Sequence, residues 1–371
     1  MEPASPIRTG RTLDLGMLRR DIGDVGPVTI GATDIAPFPE ARGALEDRRS
    51  RGFHGGMGFT FRDPDTAADP TRTYPWARSI VAVAYAYGAA PRRADTGPVV
   101  ARFARPDAYR GLRSALDRVV AVLRGHGYRA EPVADSSHLV DRAVAVRAGI
   151  AWWGKSSMVL VPGAGPWVLL GAVVTDAEVP PSRPSARSCG SCTACIPACP
   201  TGAIVAPGIL DARRCLSAVL QRPGVIPRPL RVAVGARLYG CDDCLDACPP
   251  GRPASAGAEP SDPIDLIEIL GADDADLLAR FSHWYLPGRN PRYVRRNALV
   301  VAGNIAGQEA LAVVAGFLGH PDPLLRIHAA WATGRIGGRR GLAALRSALA
   351  GESDDEVRAE LASAIAMAPG P

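Results

Sequence analysis

Apolar residues recur along this chain in more than one rhythm. Residues 79–87 (SIVAVAYAY) form a short, nearly continuous run rich in β-formers, which predicts a buried strand. Residues 109–126 instead set Leu112, Leu116, Val119, Val120 and Leu123 on one helical face. Residues 129–134 predict a short strand ending at Asp135. Ser136 or Ser137 then caps a helix running to about Ala148, with Gly149 as its stop. Residues 158–161 and 167–174 predict two further strands around a turn at 163–166. The uncharged run 156–175 is broken by Pro162, Gly163, Gly165 and Pro166, so it predicts a buried strand pair and not a membrane helix.

The C-terminal part carries a slower rhythm. Val294-Arg295-Arg296-Asn297-Ala298, Leu325-Arg326-Ile327-His328-Ala329 and Val357-Arg358-Ala359-Glu360-Leu361 open similar helical stretches, 31 and then 32 residues apart. That period fits short HEAT-like hairpins, which stack to bury faces that none can bury alone. A Pro/Ser/Arg linker at 179–188 and a Pro/Gly/Ala stretch at 251–263 frame the middle of the chain. The expected fold class is α+β and multidomain. An α/β domain spans 1–180, a metal-binding module 181–262 and a helical repeat domain 263–371.

Bulk properties narrow the class. The 371 residues suffice for two or three domains, and 47% are hydrophobic, which excludes a disordered chain. Among 43 basic residues only Lys155 is lysine, and the formal charge is +6. That excess suits a polyanionic partner such as RNA, but it also occurs in ordinary cytosolic proteins. The opening stretch MEPASPIRTGRTLDLGMLRR has no apolar h-region, so a cytoplasmic location is expected.

All eight cysteines fall between Cys189 and Cys248. Without a secretory signal, metal binding is favoured over disulfides. Cys189-x2-Cys192-x2-Cys195-x3-Cys199-Pro200 is the bacterial two-cluster ferredoxin run, whose fourth cysteine ligates the other cluster. The second run, Cys215…Cys241-x2-Cys244-x3-Cys248-Pro249, ends alike after an insertion. A zinc site needs only paired Cys-x2-Cys motifs. Two 4Fe-4S clusters are therefore expected. Cys189, Cys192, Cys195 and Cys248 hold one; Cys199, Cys215, Cys241 and Cys244 hold the other.

Several stretches resemble epoxyqueuosine reductases. They are Cys199-Pro-Thr-Gly-Ala-Ile-Val, Asp211-Ala-Arg-Arg-Cys215, Leu238-Tyr-Gly-Cys241-Asp-Asp-Cys244, Val133-Ala-Asp135-Ser136, Arg147-Ala-Gly149-Ile-Ala-Trp-Trp-Gly154-Lys155, Gly52-Phe-His54-Gly-Gly-Met57, Ala77-Arg78-Ser79 and Arg296-Asn297-Ala298…Gly303-Asn304. The resemblance runs over roughly 52–304. It implies an oxidoreductase that binds cobalamin in the N-terminal domain, beside the ferredoxin-like module. Its reaction is the reduction of epoxyqueuosine to queuosine at the wobble position of tRNA. The architecture is related to reductive dehalogenases. The resemblance also implies an anticodon stem-loop as partner, a low-potential electron donor such as flavodoxin or ferredoxin, no membrane and a monomer.

Removing an epoxide oxygen requires electrons and an acid. The position matching the family's proton donor is Asp135; its rival role is an ordinary helix N-cap. The resemblance places His54, Met57, Arg102, Asp135, Trp153, Gly154, Lys155, Ser157, Leu170, Asp242 and Asp243 against the cofactor, with an ordinary satisfied histidine as the alternative for His54 and a solvated turn as the alternative for Asp242 and Asp243. For Gly154 this means close backbone approach. For Lys155 it means a compact ammonium on corrin amides or phosphate, against chance retention of a lysine. Trp152 and Trp153 read as core or as a platform. Arg292, Arg295, Arg296, Arg326 and Arg335 are candidates for an RNA backbone, or an ordinary charged surface. The chain departs from the family's pattern at 102–110, 216–221 and 250–251. Two alternatives therefore stand: a corrinoid iron–sulfur reductase with another substrate, and an electron-transfer or scaffold protein.

Overall fold

β-Branched and small apolar residues build one four-stranded sheet. The computed structural model describes residues 13–23, 26–88, 97–105, 107–252 and 264–368. In it, β1 (Val28–Asp34), β2 (Ser79–Ala86), β3 (Ala130–Val133) and β4 (Val168–Thr175) lie in the order β1-β2-β4-β3. Every neighbouring pair is antiparallel, with Ala82 paired to Gly31 on one side and Ala172 on the other. The sheet thus forms an α+β layer, which corrects the α/β reading of this region. β1 is not among the expected strands, because Gly31 and exposed Asp34 dilute its apolar pattern. A Cβ on Gly31 would lie 2.2 Å from the Ala148 carbonyl oxygen, so only glycine fits there.

Helix α1 (Ala108–Gly125) packs on this sheet through the expected stripe, and Leu112, Leu116, Val119, Val120 and Leu123 are all buried. Each such leucine or valine contributes roughly 1.5–3 kcal/mol. Asp107 caps the helix by accepting the Arg110 backbone N–H at 3.1 Å. Helix α2 (Asp141–Arg147) is shorter than the sequence suggests. Neither serine caps it: Ser136 Oγ accepts the His138 N–H in a turn, and Val140 stands at the N-cap. The expected strand at 158–161 shrinks to Val159–Leu160, which pairs with Trp152–Trp153 and not with β4.

Contacts divide the chain into two compact units. The first comprises Met1–Pro91, Pro106–Arg213 and Asp243–Glu259; the second comprises Arg92–Arg105, Arg214–Asp242 and Pro260–Pro371. The expected boundary at 180 falls inside the first unit. Of the expected linker at 251–263, residues 253–263 lie outside the described residues.

The second unit is mostly helical. Helices α3 (Leu216–Gln221) and α4 (Arg228–Val234) precede a repeated stack of α5 (Arg292–Ile305), α6 (Pro323–Ile336), α7 (Gly338–Gly351) and α8 (Asp355–Met367). Val294, Leu325 and Val357 hold the third position of α5, α6 and α8, and all three are buried. This is the repeat seen in the sequence, and α5, α6 and α8 are successive packing neighbours. Asn304 donates to the Arg231 and Gly235 carbonyls, and Arg231 pairs with Glu360 at 2.9 Å, so α5 and α8 both bind α4. No helix among the described residues is long and apolar enough to cross a membrane.

Candidate functional site

The first cysteine run is a chain of tight turns. Cys192 N–H donates to the Cys189 carbonyl at 2.9 Å, with Gly190 between them at φ 48°. A single helical turn, Cys195–Ala198, follows, and Cys199 leaves it in extended conformation. From the other end, Cys248 N–H donates to Leu245, and its carbonyl accepts from Gly251. The Cys248 thiol is pushed up to about 11, first by burial and then by Cys189, Cys195 and Cys192. Those three partners are the set expected to share a cluster with it. Four cysteine thiols that act on one another through space are the donor type an iron cube takes, since its cationic metal replaces their protons.

Cys199 behaves differently. Burial raises it, but hydrogen bonds from Thr201, Ala203 and Ile204 outweigh burial and hold the thiol below its usual value. The Ala203 N–H lies 3.2 Å from its sulfur. Cys199 and Cys244 belong to the first unit, and Cys215 and Cys241 to the second. All eight cysteines are free of disulfides.

The Trp152–Leu160 hairpin lies against the first cysteine loop. Lys155 Nζ donates to the Gly190 carbonyl at 2.6 Å, and its own carbonyl accepts from Gly208 at 2.9 Å. The ammonium also opposes the effect of burial, which raises the Cys195 thiol. Gly154 serves the hairpin itself: a Cβ there would lie 2.4 Å from Leu160 Cδ1 and 2.7 Å from the Met158 carbonyl oxygen. Its glycine is thus explained by packing alone. Trp152 is core, whereas Trp153 is 48% exposed.

Asp135 follows β3 directly. It is exposed and sits at φ 46°, a left-handed conformation that costs an L-residue about 1–2 kcal/mol and that aspartate tolerates better than most. It does not cap α2, so the N-cap alternative falls. Asp141, at the start of α2, is a perturbed acid close enough to feel Asp135, which the sequence did not reveal. Burial, with a smaller contribution from Asp135, pushes its carboxyl up to about 6. In the sequence it looks like any acid in a first helical turn. Arg142, its neighbour, donates to the Ser157 carbonyl at 3.2 Å, and Ser157 is itself left-handed at φ 69°.

Among the described residues, four buried polar side-chain atoms in this unit have no hydrogen-bond partner: His54 Nδ1, Trp152 Nε1, Ser157 Oγ and Asp65 Oδ1, the last of which is ion-paired with Arg42. The turn carrying His54 is tied in place where the Phe53 carbonyl accepts from Ala212. Met57 and Leu170 are half-buried. Arg102 and Asp242 belong to the second unit, where both are buried and paired; Asp243 opens the short helix Asp243–Asp246 in the first.

The candidate RNA arginines divide. Arg296 is 0% exposed and donates to the Arg222, Gly224 and Leu220 carbonyls and to Asn297 Oδ1, so it has no surface to offer a phosphate. Burial pushes it down to about 9, which keeps it charged at neutrality. Arg295 is held by Asp274 and the Ala272 carbonyl, and Arg326 by a two-pronged pair with Glu352. Arg292 is bound to Asp322 and Tyr293 but stays partly exposed; Arg335 is exposed.

A family model described as a 4Fe-4S double cluster binding domain matches residues 188–251, and one for HEAT repeats matches 285–366. The chain is therefore an iron–sulfur protein with a two-cluster module and a helical-repeat part. The epoxyqueuosine reductase of Bacillus cereus is 30% identical over 375 residues, covering 94% of this chain and 97% of that one. That of Bacillus subtilis is 32% identical over 365 residues, covering 92% and 93%. Among solved structures, an epoxyqueuosine reductase with an epoxyqueuosine-modified tRNA-Tyr stem loop matches with a TM-score of 0.88 at 33% identity, covering 95% of this chain and 98% of that one. The Bacillus subtilis enzyme, with its aspartate-bearing catalytic loop swung out of the active site, matches at 0.86 and 31%, covering 95% and 98%. This chain belongs to the epoxyqueuosine reductase family, whose members are oxidoreductases.

Proposed function

We propose that the chain reduces epoxyqueuosine to queuosine at the wobble position of tRNA, using cobalamin in the first unit and two 4Fe-4S clusters. The observation that carries this is the near full-length match to a solved epoxyqueuosine reductase holding a modified tRNA stem loop. Removing the epoxide oxygen as water takes two electrons and two protons. Cobalamin, when bound, supplies a cobalt centre able to hold two electrons, and the clusters supply them singly from a low-potential donor such as flavodoxin or ferredoxin.

The chain's own residues fit such a cofactor. His54 Nδ1, Ser157 Oγ and Trp152 Nε1 are buried polar atoms awaiting partners, and a corrin rimmed with amides offers both donors and acceptors. Exposed Trp153 adds an apolar face. Asp135 delivers a proton to the departing oxygen. Its strained, exposed turn holds the carboxyl away from α2, where a capping role would have tied it to backbone N–H groups. Asp141 behind it resists ionising below about pH 6, which keeps a second acid close at hand. Of the five candidate arginines, Arg292 and Arg335 keep surface for RNA phosphates. Cytoplasmic tRNA is the substrate pool.

The test is anaerobic reconstitution with iron, sulfide and cobalamin, then incubation with an epoxyqueuosine-bearing stem loop and a low-potential reductant. Mass spectrometry should show loss of one oxygen from the modified base. Corrin uptake without that loss would point to another substrate, and failure to take up corrin would overturn the proposal.

A further inference from the structure

We infer that Lys155 is a positioning residue for the cluster held by Cys189, Cys192, Cys195 and Cys248: it clamps the cluster's loop and biases that cluster toward its reduced state. The inference rests on that four-cysteine ligand set.

Three observations converge on it. Lys155 is the single lysine among 43 basic residues, in a chain that otherwise uses arginine. Its ammonium donates to the Gly190 carbonyl at 2.6 Å, inside the loop between Cys189 and Cys192. A point donor suits one carbonyl on a tight turn, whereas a planar guanidinium fork is wider and prefers two acceptors. The backbone that presents the ammonium is pinned. Gly154 N–H donates to Met158, Ser157 N–H to Gly154, and Gly208 N–H to Lys155 itself. Lys155 therefore does not swing freely as surface lysines do.

Charge gives the clamp a second consequence. Among the described residues no carboxylate pairs with Lys155, and its ammonium is held on the loop that carries Cys189 and Cys192. A 4Fe-4S cube with four thiolates is anionic, and accepting one electron makes it more so. A fixed cation beside the loop stabilises the reduced form more than the oxidised form and raises the reduction potential. Carbonyl clamping alone would order the loop without moving the potential.

The two roles separate in the full-length chain, reconstituted anaerobically with iron and sulfide and titrated with dithionite under electron paramagnetic resonance. Lys155→Gln should retain the iron content of the unsubstituted protein, with one of the two cluster midpoints displaced to more negative potential and the other unmoved. Lys155→Arg, which keeps the charge, should show a smaller displacement. If Lys155→Gln sheds one cluster, Lys155→Arg retaining it near the original midpoint still supports the inference. Two unchanged midpoints in Lys155→Gln would overturn it, as would loss of the cluster from both variants. Failure of the unsubstituted chain to bind any cluster would instead refute the ligand set beneath it.

Discussion

The backbone N–H of Arg102 donates to Asp242 Oδ2 at 2.8 Å, and both residues are buried. This bond ties the Arg102 segment to the residue that follows Cys241. Asp242→Ala leaves a buried N–H unpaired, which costs about 1–3 kcal/mol. Asp242→Asn keeps an acceptor oxygen and should lose less. Urea unfolding curves for the two variants rank them directly, and an alanine variant as stable as the parent would show that the bond is dispensable.

Asp135→Asn should abolish turnover while leaving iron content and the unfolding midpoint close to the parent's. The side chain is exposed and does not cap α2, so its loss removes a proton donor and little else. Full activity in this variant would end its assignment as the acid.

Asp141 makes an opposite prediction for stability. Its carboxyl is raised from the ordinary 3.8 to about 6, so between those values the folded chain binds a proton that the unfolded chain has released. Stability therefore falls as pH rises through this window, and the penalty persists above it. Asp141→Asn should stabilise the protein by about 1–2 kcal/mol at pH 7.5, a figure reduced from the full shift because the residue is only half-buried. At pH near 4 the gain should vanish. Thermal melts at the two pH values check both the sign and the window.

His328 is fully buried in α6. Its Nε2 accepts the Ile226 N–H at 3.1 Å, so Nδ1 carries the proton and donates to the Leu324 carbonyl at 2.6 Å. Burial, with the Arg231 charge behind it, holds the imidazole well below its ordinary 6.5. Below pH 6.5 the unfolded chain takes up a proton that the folded chain refuses. Stability drops there by about 1.4 kcal/mol per pH unit and is flat above. His328→Gln should flatten this acid slope in denaturant titrations from pH 7.5 to 5.5; an unchanged slope would assign it elsewhere.

Cys248→Ser should remove about half of the reconstituted iron, because it subtracts one ligand from the set with Cys189, Cys192 and Cys195. Retention of all iron would break the crosswise sharing of thiolates between the two cysteine runs.

Local order in the sequence determined a good part of this protein. The cysteine spacing specified double-cluster binding, because a cube sets how many residues separate successive ligands. The stripe on α1, the strand at 79–87 and the 31- and 32-residue repeat were legible because apolar period is a property of neighbouring positions. Strand partners were not legible. The strand at 158–161 and β4 looked like one hairpin, yet each found a different partner, since pairing depends on which faces the whole core must cover. Nor could the sequence tell Arg296 from Arg335. Both are repeat arginines, but one is enclosed by backbone carbonyls and the other faces solvent. The raised acid at Asp141 and the clamp from Lys155 to Gly190 were likewise decided by tertiary structure. Burial and charge act through space, and that ammonium and the carbonyl it holds are 35 positions apart along the chain.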